Sequence, residues 1–279
     1  MHDLVTASEL SGQPIGVRPV ILDASFHLPA SDRDARAEYE GEHIPGARFL
    51  DLATLSDSAG DAPNAVPNAA QFAERLARLG VEAGDRVVLY DDSTLRSSAR
   101  AWFIFRLNGW AEVAILDGGL AAWRAAGLPL ESGSPEWGQS GLSAADLSPD
   151  AALLRDKAQV RANCDSAEEQ LVDARDAARF RGEEGSGSAG HIPGARNVPF
   201  TTVLAEDGRF KPPLVIREEL SAAGVDLQRP IVTSCNSGVT ACTLLFAARL
   251  AGAERLALYD GSWLDWGSDP ATPKASGAA

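Results

Sequence analysis

The hexapeptide His-Ile-Pro-Gly-Ala-Arg occurs twice in this chain, at residues 43–48 and again at 191–196. Six identical residues at two places are hard to assign to chance, and further matches follow in the same order. Leu22-Asp23-Ala24-Ser25 is echoed by Val172-Asp173-Ala174-Arg175, and Arg106-Leu107-Asn108-Gly109 by Arg249-Leu250-Ala251-Gly252. Asp117-Gly118-Gly119 through Trp123 is echoed by Asp260-Gly261-Ser262 through Trp266. The spacing drifts from 150 to 148 to 143 residues, as small loop deletions would produce. That period is too long for a solenoid unit, so the chain reads as one domain written twice. The expected boundaries are 1–130 for the first copy, 131–149 for a linker rich in Ser, Gly and Pro, and 150–279 for the second copy. A second Gly/Ser-rich segment, Gly182 to Gly190, reads as a flexible loop inside the second copy.

Each copy alternates short apolar runs with longer periodic stretches. Residues 20–22, 86–90 and 112–116 read as buried strands in the first copy, and 171–172, 230–233 and 255–259 in the second. Residues 68–79, 97–108 and 240–250 have helical length, with apolar residues recurring at three and four. Strands alternating with helices imply an α/β fold in each copy, a mostly parallel sheet flanked by helices. In such folds ligands bind beyond the carboxyl ends of the strands. A hydrophobic fraction of 45% excludes disorder for the bulk of the chain. A net charge of −14 argues against nucleic acid or an anionic membrane as partner, and leaves room for a small anion in a locally positive pocket. Three cysteines are too few for a disulfide framework. The opening residues carry no basic and apolar leader, and no apolar run approaches the roughly 18 residues of a membrane span. The cytoplasm is the expected location.

The segment Ser234-Cys235-Asn236-Ser237-Gly238-Val239-Thr240-Ala241-Cys242 follows a β-branched strand and opens a long helix. This places Cys235 at a strand's carboxyl end, among loop N–H groups and beside a helix N-terminus. Both carry partial positive charge and favour a thiolate over a thiol. At a spacing of 143 residues the first copy has Asp92 at the cysteine position, and a carboxylate is no sulfur nucleophile. Cys242 reads as core, and Cys164 has no motif around it. A cysteine phosphatase would need Arg six residues after the cysteine, where Ala241 stands. No Cys-x-x-Cys pair or His-Cys cluster suggests zinc, and dinucleotide and P-loop motifs are absent, so no metal or cofactor is expected.

Three motifs together make the chain resemble a tandem-domain rhodanese-type sulfurtransferase, with a non-catalytic first copy and a catalytic second one. They are the paired His-Ile-Pro-Gly-Ala, the Cys-x-x-Gly-Val-Thr-Ala loop at 235–241, and Tyr259-Asp260-Gly261-Ser262-Trp263. Within that family, small neutral residues after the cysteine resemble the loop of mercaptopyruvate enzymes, and two basic residues resemble that of thiosulfate enzymes. Asn236 and Ser237 side with the first, although Asn236 stands where Gly is usual. The resemblance implies Cys235 as sulfur carrier, with substrate held along Asn236, Gly238, Val239 and Thr240. It implies Arg179 as the substrate-carboxylate arginine. The family's second substrate arginine has no counterpart in Gly182–Gly190. His43, Ser237 and an acid, Asp34 in preference to Asp32, would form a proton relay between the copies. The implied partners are a small anionic sulfur donor and a thiol acceptor such as thioredoxin or a small thiol. Thiosulfate sulfurtransfer and a persulfide carrier without turnover are the alternative functions.

Overall fold

The computed structural model describes residues 3–14, 18–57 and 64–278; Met1 and Ala279, the outer bounds read from the sequence, lie outside them. Among the described residues two compact units are present, the first made of residues up to Asp57 and Val66–Asp150, the second of residues 64–65 and those from Ala151 onward. The first unit runs β1 (Leu4–Val5), α1 (Ala7–Ser11), β2 (Val20–Asp23), α2 (Ala35–Gly41), β3 (Arg48–Phe49), α3 (Ala69–Arg78), β4 (Val87–Tyr90), α4 (Ser98–Leu107), β5 (Val113–Leu116) and α5 (Gly119–Ala125). The second runs β6 (Leu154–Arg155), α6 (Lys157–Ser166), β7 (Gln170–Asp173), α7 (Ala177–Arg181), β8 (Arg196–Asn197), α8 (Pro213–Ala222), β9 (Ile231–Ser234), α9 (Val239–Leu250), β10 (Leu256–Tyr259) and α10 (Ser262–Ser268).

Each unit holds a five-stranded sheet, ordered β1-β5-β4-β2-β3 in the first and β6-β10-β9-β7-β8 in the second. Every pairing is parallel. The two orders are identical in sense, so the repeated hexapeptide marks a repeated topology. The central strands β4, β5, β7 and β9 are buried at every residue, as a parallel sheet covered on both faces requires. Their β-branched and leucine side chains pack against the helices, with Val88, Tyr90, Leu116 and Trp123 in one core and Val232, Tyr259, Trp263 and Trp266 in the other. The edge strands β1, β3, β6 and β8 are two residues each, too short to show any period in sequence.

The repeated histidine closes each unit in the same way. His43 forms an antiparallel bridge with Glu131, and His191 with Ala275. The indole N–H of Trp123 donates to Pro129 O at 2.8 Å, and that of Trp266 to Pro273 O at 2.8 Å. The duplication therefore extends past the last helix of each copy. The stretch 131–149, read from composition as a linker, is strapped to the first unit instead. Ser140 N donates to Ala77 O at 2.9 Å, the Ser140 hydroxyl donates to Val81 O, Leu142 is buried, and Asp150 N donates to Leu107 O at 2.8 Å. Its small residues let the backbone lie close enough to bond helix and strand ends. Among the described residues no helix is long and apolar enough to cross a membrane.

Asp23 and Asp173 end equivalent strands, and both are 2% exposed. Asp173 is neutralised by Arg175, whose Nε lies 3.0 Å from both carboxylate oxygens and whose second nitrogen lies 2.6 Å from Oδ2. The matching residue in the first unit is Ser25, which offers Asp23 only hydrogen bonds. Burial pushes the Asp23 carboxyl up to about 6; bonds from Ser25 and Tyr90 hold it down in part, and Asp91 nearby adds to the rise. A carboxyl raised in the folded state stabilises fully below its unfolded value and loses that contribution as pH climbs through the folded one. From below about pH 4 to well above about pH 6 the loss from Asp23 amounts to about 3 kcal/mol. Asp23→Asn is therefore expected to gain stability over wild type at pH 7 in urea melts, and to show no gain at pH 4. Asp173→Asn, by leaving the buried Arg175 short of its counter-charge, is expected to lose about 3 kcal/mol or more at neutral pH. Equal effects of the two substitutions would contradict this division.

Candidate active site

Parallel β9 delivers the chain to Cys235 at its carboxyl end, and the chain turns through Asn236 and Ser237 into α9. The turn is made by Gly238, the N-cap of α9, at φ +79°. Glycine adopts that left-handed geometry without penalty, and it brings no side chain to cap the helix. Cys235 is 2% exposed, and Asn236 and Ser237 are half-buried.

The loop carbonyls are claimed by α10. Trp263 N donates to Cys235 O at 3.0 Å, and Leu264 N donates to Asn236 O at 2.9 Å. In a trans peptide the N–H points opposite to the C=O. Fixing these two carbonyls toward α10 therefore turns the N–H groups of Asn236 and Ser237 away from it. Among the described residues no protein group accepts from the N–H of Asn236, Ser237, Val239 or Thr240. The start of α9 adds its dipole to this set of donors. The arrangement can hold negative charge beside Cys235.

The first unit contains the same turn in a closed form. The ladder pairs Asp23 with Tyr90 in one sheet and Asp173 with Ser234 in the other. Tyr90 and Ser234 therefore correspond, and the next residues are Asp91 and Cys235. A second bond agrees: Leu120 N donates to Asp91 O at 3.0 Å, as Trp263 N does to Cys235 O. The counterpart of Cys235 is thus Asp91, a correction to the sequence match with Asp92. The first loop carries one more residue before the helices come back into step, and a single spacing read across that loop slips by one. The buried Asp91 carboxylate accepts from Ser93 N and Ser98 N, both at 2.9 Å. Asp92 is a surface residue between Arg33 and Arg124, each at 3.3 Å.

The remaining residues singled out in sequence have definite places. Arg179 lies on α7, and both its N–H and its Nε donate to Asp176, the N-cap of that helix. Partial burial pushes the Asp176 carboxyl up, but the backbone and guanidinium of Arg179 hold it below the usual range. Arg179 is 43% exposed, so a competing carboxylate can reach it. Asp34 is the N-cap of α2 and accepts from Arg36 N and Ala37 N, the same duty that Asp176 has in the second unit. The His43 ring is buried, stacked on Tyr39, and its Nδ1 bonds Tyr39 O at 2.7 Å. His191 does the same with Phe180, at 2.8 Å. His43 differs in having Glu131 3.3 Å from Nε2. Cys242 is buried, and its thiol donates to Gly238 O; Cys164 is half-buried on α6.

Sequence reading missed Arg175 and Ser262. Arg175 ties the Gly182–Gly190 segment to the sheet, donating to Ser188 Oγ at 3.0 Å and to Gly190 O at 2.9 Å, and it lies over the Trp263 ring at 4.6 Å. The available signal was the change from Ser25 to Arg175 within an otherwise matching strand end. Ser262 Oγ accepts from Cys235 N at 3.0 Å.

Residues 7–126 and 156–269 each match the Rhodanese-like domain family. The human 3-mercaptopyruvate sulfurtransferase is 42% identical over 262 residues, covering 92% of this chain and 86% of its own length. A chicken thiosulfate sulfurtransferase is 39% identical over 256 residues, covering 90% of this chain and 87% of its own. The crystal structure of SseA from Escherichia coli, described as a 3-mercaptopyruvate sulfotransferase with the rhodanese fold, superposes with a TM-score of 0.85 at 34% identity. That superposition covers 94% of this chain and 99% of SseA.

Removing the Asp91 carboxylate orphans two buried N–H groups, so Asp91→Ala is expected to cost about 1–3 kcal/mol in denaturant melts. Asp92→Ala, which breaks only surface pairs, is expected to cost less than about 1 kcal/mol. The reverse order would restore Asp92 as the counterpart of Cys235.

Proposed function

This chain belongs to the rhodanese-like family, carries the domain twice and is a sulfurtransferase; from that premise we propose that its donor is 3-mercaptopyruvate and that Cys235 carries the sulfur. The observation that carries this reading is the difference between the two loops. One is closed on its own Asp91 carboxylate, and the other leaves its donors open around a cysteine. The Cys235 thiolate attacks the donor's sulfur. The sulfur–carbon bond breaks, its electron pair leaves on the three-carbon fragment as the enolate of pyruvate, and a persulfide remains on Cys235. The N–H groups of the loop and of the first turn of α9 stabilise the charge as it passes between sulfur and enolate. The enolate carbon takes a proton, for which we assign the hydroxyl of Ser237 in the same loop. A thiol acceptor, thioredoxin or a small thiol, then takes the outer sulfur and restores Cys235.

The choice of donor rests on charge. Thiosulfate is a dianion and gains from cationic side chains in the loop, whereas Asn236 and Ser237 are neutral. Mercaptopyruvate brings one carboxylate, which a single guanidinium holds through two parallel hydrogen bonds. Arg179 is assigned that role, in competition with Asp176.

The deciding experiment compares turnover with mercaptopyruvate and with thiosulfate under one set of conditions. Mercaptopyruvate is expected to be the faster donor, with pyruvate released catalytically. A higher rate with thiosulfate would reassign the donor, and one sulfur per chain without turnover would make the protein a carrier. Cys235→Ser is expected to abolish transfer and leave the melt unchanged. Arg179→Ala is expected to raise KM for mercaptopyruvate about tenfold, and Asp176→Asn, which keeps a capping side chain while removing the competing charge, to lower it. An unchanged KM in Arg179→Ala would remove that arginine from the site.

A further inference from the structure

Ser262 is fully buried and lies at φ +52°, a left-handed conformation that disfavours any residue with a Cβ. Its counterpart in the first unit, after the shared Asp-Gly pair, is Gly119 at φ +57°. There glycine answers two demands at once, since a Cβ would also come within 2.1 Å of Asp91 O. The second unit keeps a serine at the place where glycine would remove the strain.

The side chain gives a reason. Its Oγ accepts from Cys235 N at 3.0 Å and donates to Tyr259 O at 2.9 Å. The next residue supplies the matching half, with Trp263 N on Cys235 O at 3.0 Å. Both backbone polar groups of Cys235 are thus held by consecutive residues of one rigid turn. That turn is braced by the Trp263 ring against Arg175, itself fixed by Asp173. The first unit retains only the carbonyl half, Leu120 N on Asp91 O, and Gly119 has no side chain to supply the other.

We propose that Ser262 is a positioning residue for sulfur transfer. It fixes the Cys235 peptide so that Sγ stays beside the N–H groups of Asn236, Ser237, Val239 and Thr240. By occupying Cys235's own N–H, it also confines the open donors to the side from which the charge arrives. The inference rests on Cys235 being the sulfur carrier.

The test uses Ser262→Gly, whose backbone conformation the first unit already tolerates, and Ser262→Ala, which keeps the strain and loses the same bond. Steady-state rates are measured with mercaptopyruvate and with thiosulfate, alongside Tm. Ser262→Gly relieves the left-handed strain but orphans the Cys235 N–H, so it is expected to melt above Ser262→Ala, and to lose about tenfold in kcat with whichever donor is turned over. Its KM should stay within about twofold. Ser262→Ala is expected to show the same loss in kcat with a lower Tm. A Ser262→Gly enzyme with kcat within about twofold of wild type would overturn the proposal, as would a loss that only tracks a fall in folded protein. Cys235→Ser serves as the control for the premise: if it retains turnover, the carrier assignment fails. If Cys235→Ser is dead while Ser262→Gly matches wild type, only the positioning role fails.

Discussion

A parallel strand that runs straight into a helix leaves N–H groups pointing at the turn between them, and those groups must meet an acceptor, for which an anion is well suited. The architecture of both units is arranged around that requirement at β4–α4 and β9–α9. The first unit meets it permanently, with the Asp91 carboxylate bonded to Ser93 N and Ser98 N. The second places Cys235 there and leaves the N–H groups of Asn236, Ser237, Val239 and Thr240 without a protein acceptor among the described residues. One copy is consequently closed at this turn and the other open, which is the difference the proposed chemistry uses. Their sheet orders and closing histidine bridges remain the same.

A second pair of equivalent positions divides the labour in the opposite sense. Asp173 is fully matched by Arg175, and that pair extends to Ser188, Gly190 and Trp263, bracing the turn that holds Cys235. Asp23 has no guanidinium and is raised to about 6 by burial. The second copy therefore places its buried charge where it braces the turn around the cysteine. In the other copy the same strand end is held by uncharged hydrogen bonds. Rigid support matters there because a displacement of the sulfur by a fraction of an ångström changes how well the loop donors meet the developing charge.

Much of this was legible in the sequence because repetition and periodicity survive without coordinates. The hexapeptide, the buried strands and the helices at 69–78, 98–107 and 239–250 follow from matching and apolar spacing. Cys235 follows from its place between strand and helix. What escaped did so for physical reasons. The two-residue edge strands exist only by pairing. The Ser/Gly/Pro stretch at 131–149 has the composition of a tether, and only the bonds of Ser140 and Asp150 show that it is packed. The loop counterpart slipped from Asp91 to Asp92 because an inserted residue lies inside the loop, where identity is lowest and only the strand register can place it. Ser262 looked like part of a motif, and its role depends on a backbone angle that no spacing reveals.

The claim on which the rest stands is that the open loop of the second unit carries sulfur on Cys235. The most direct measurement is peptide mass mapping of all three cysteines after one equivalent of mercaptopyruvate in the absence of any thiol acceptor, with released pyruvate assayed in the same sample. The expected result is the mass of one additional sulfur atom on the Cys235 peptide alone, matched by an equal amount of pyruvate. Pyruvate without added sulfur on Cys235, or sulfur on Cys164 or Cys242 instead, would contradict it.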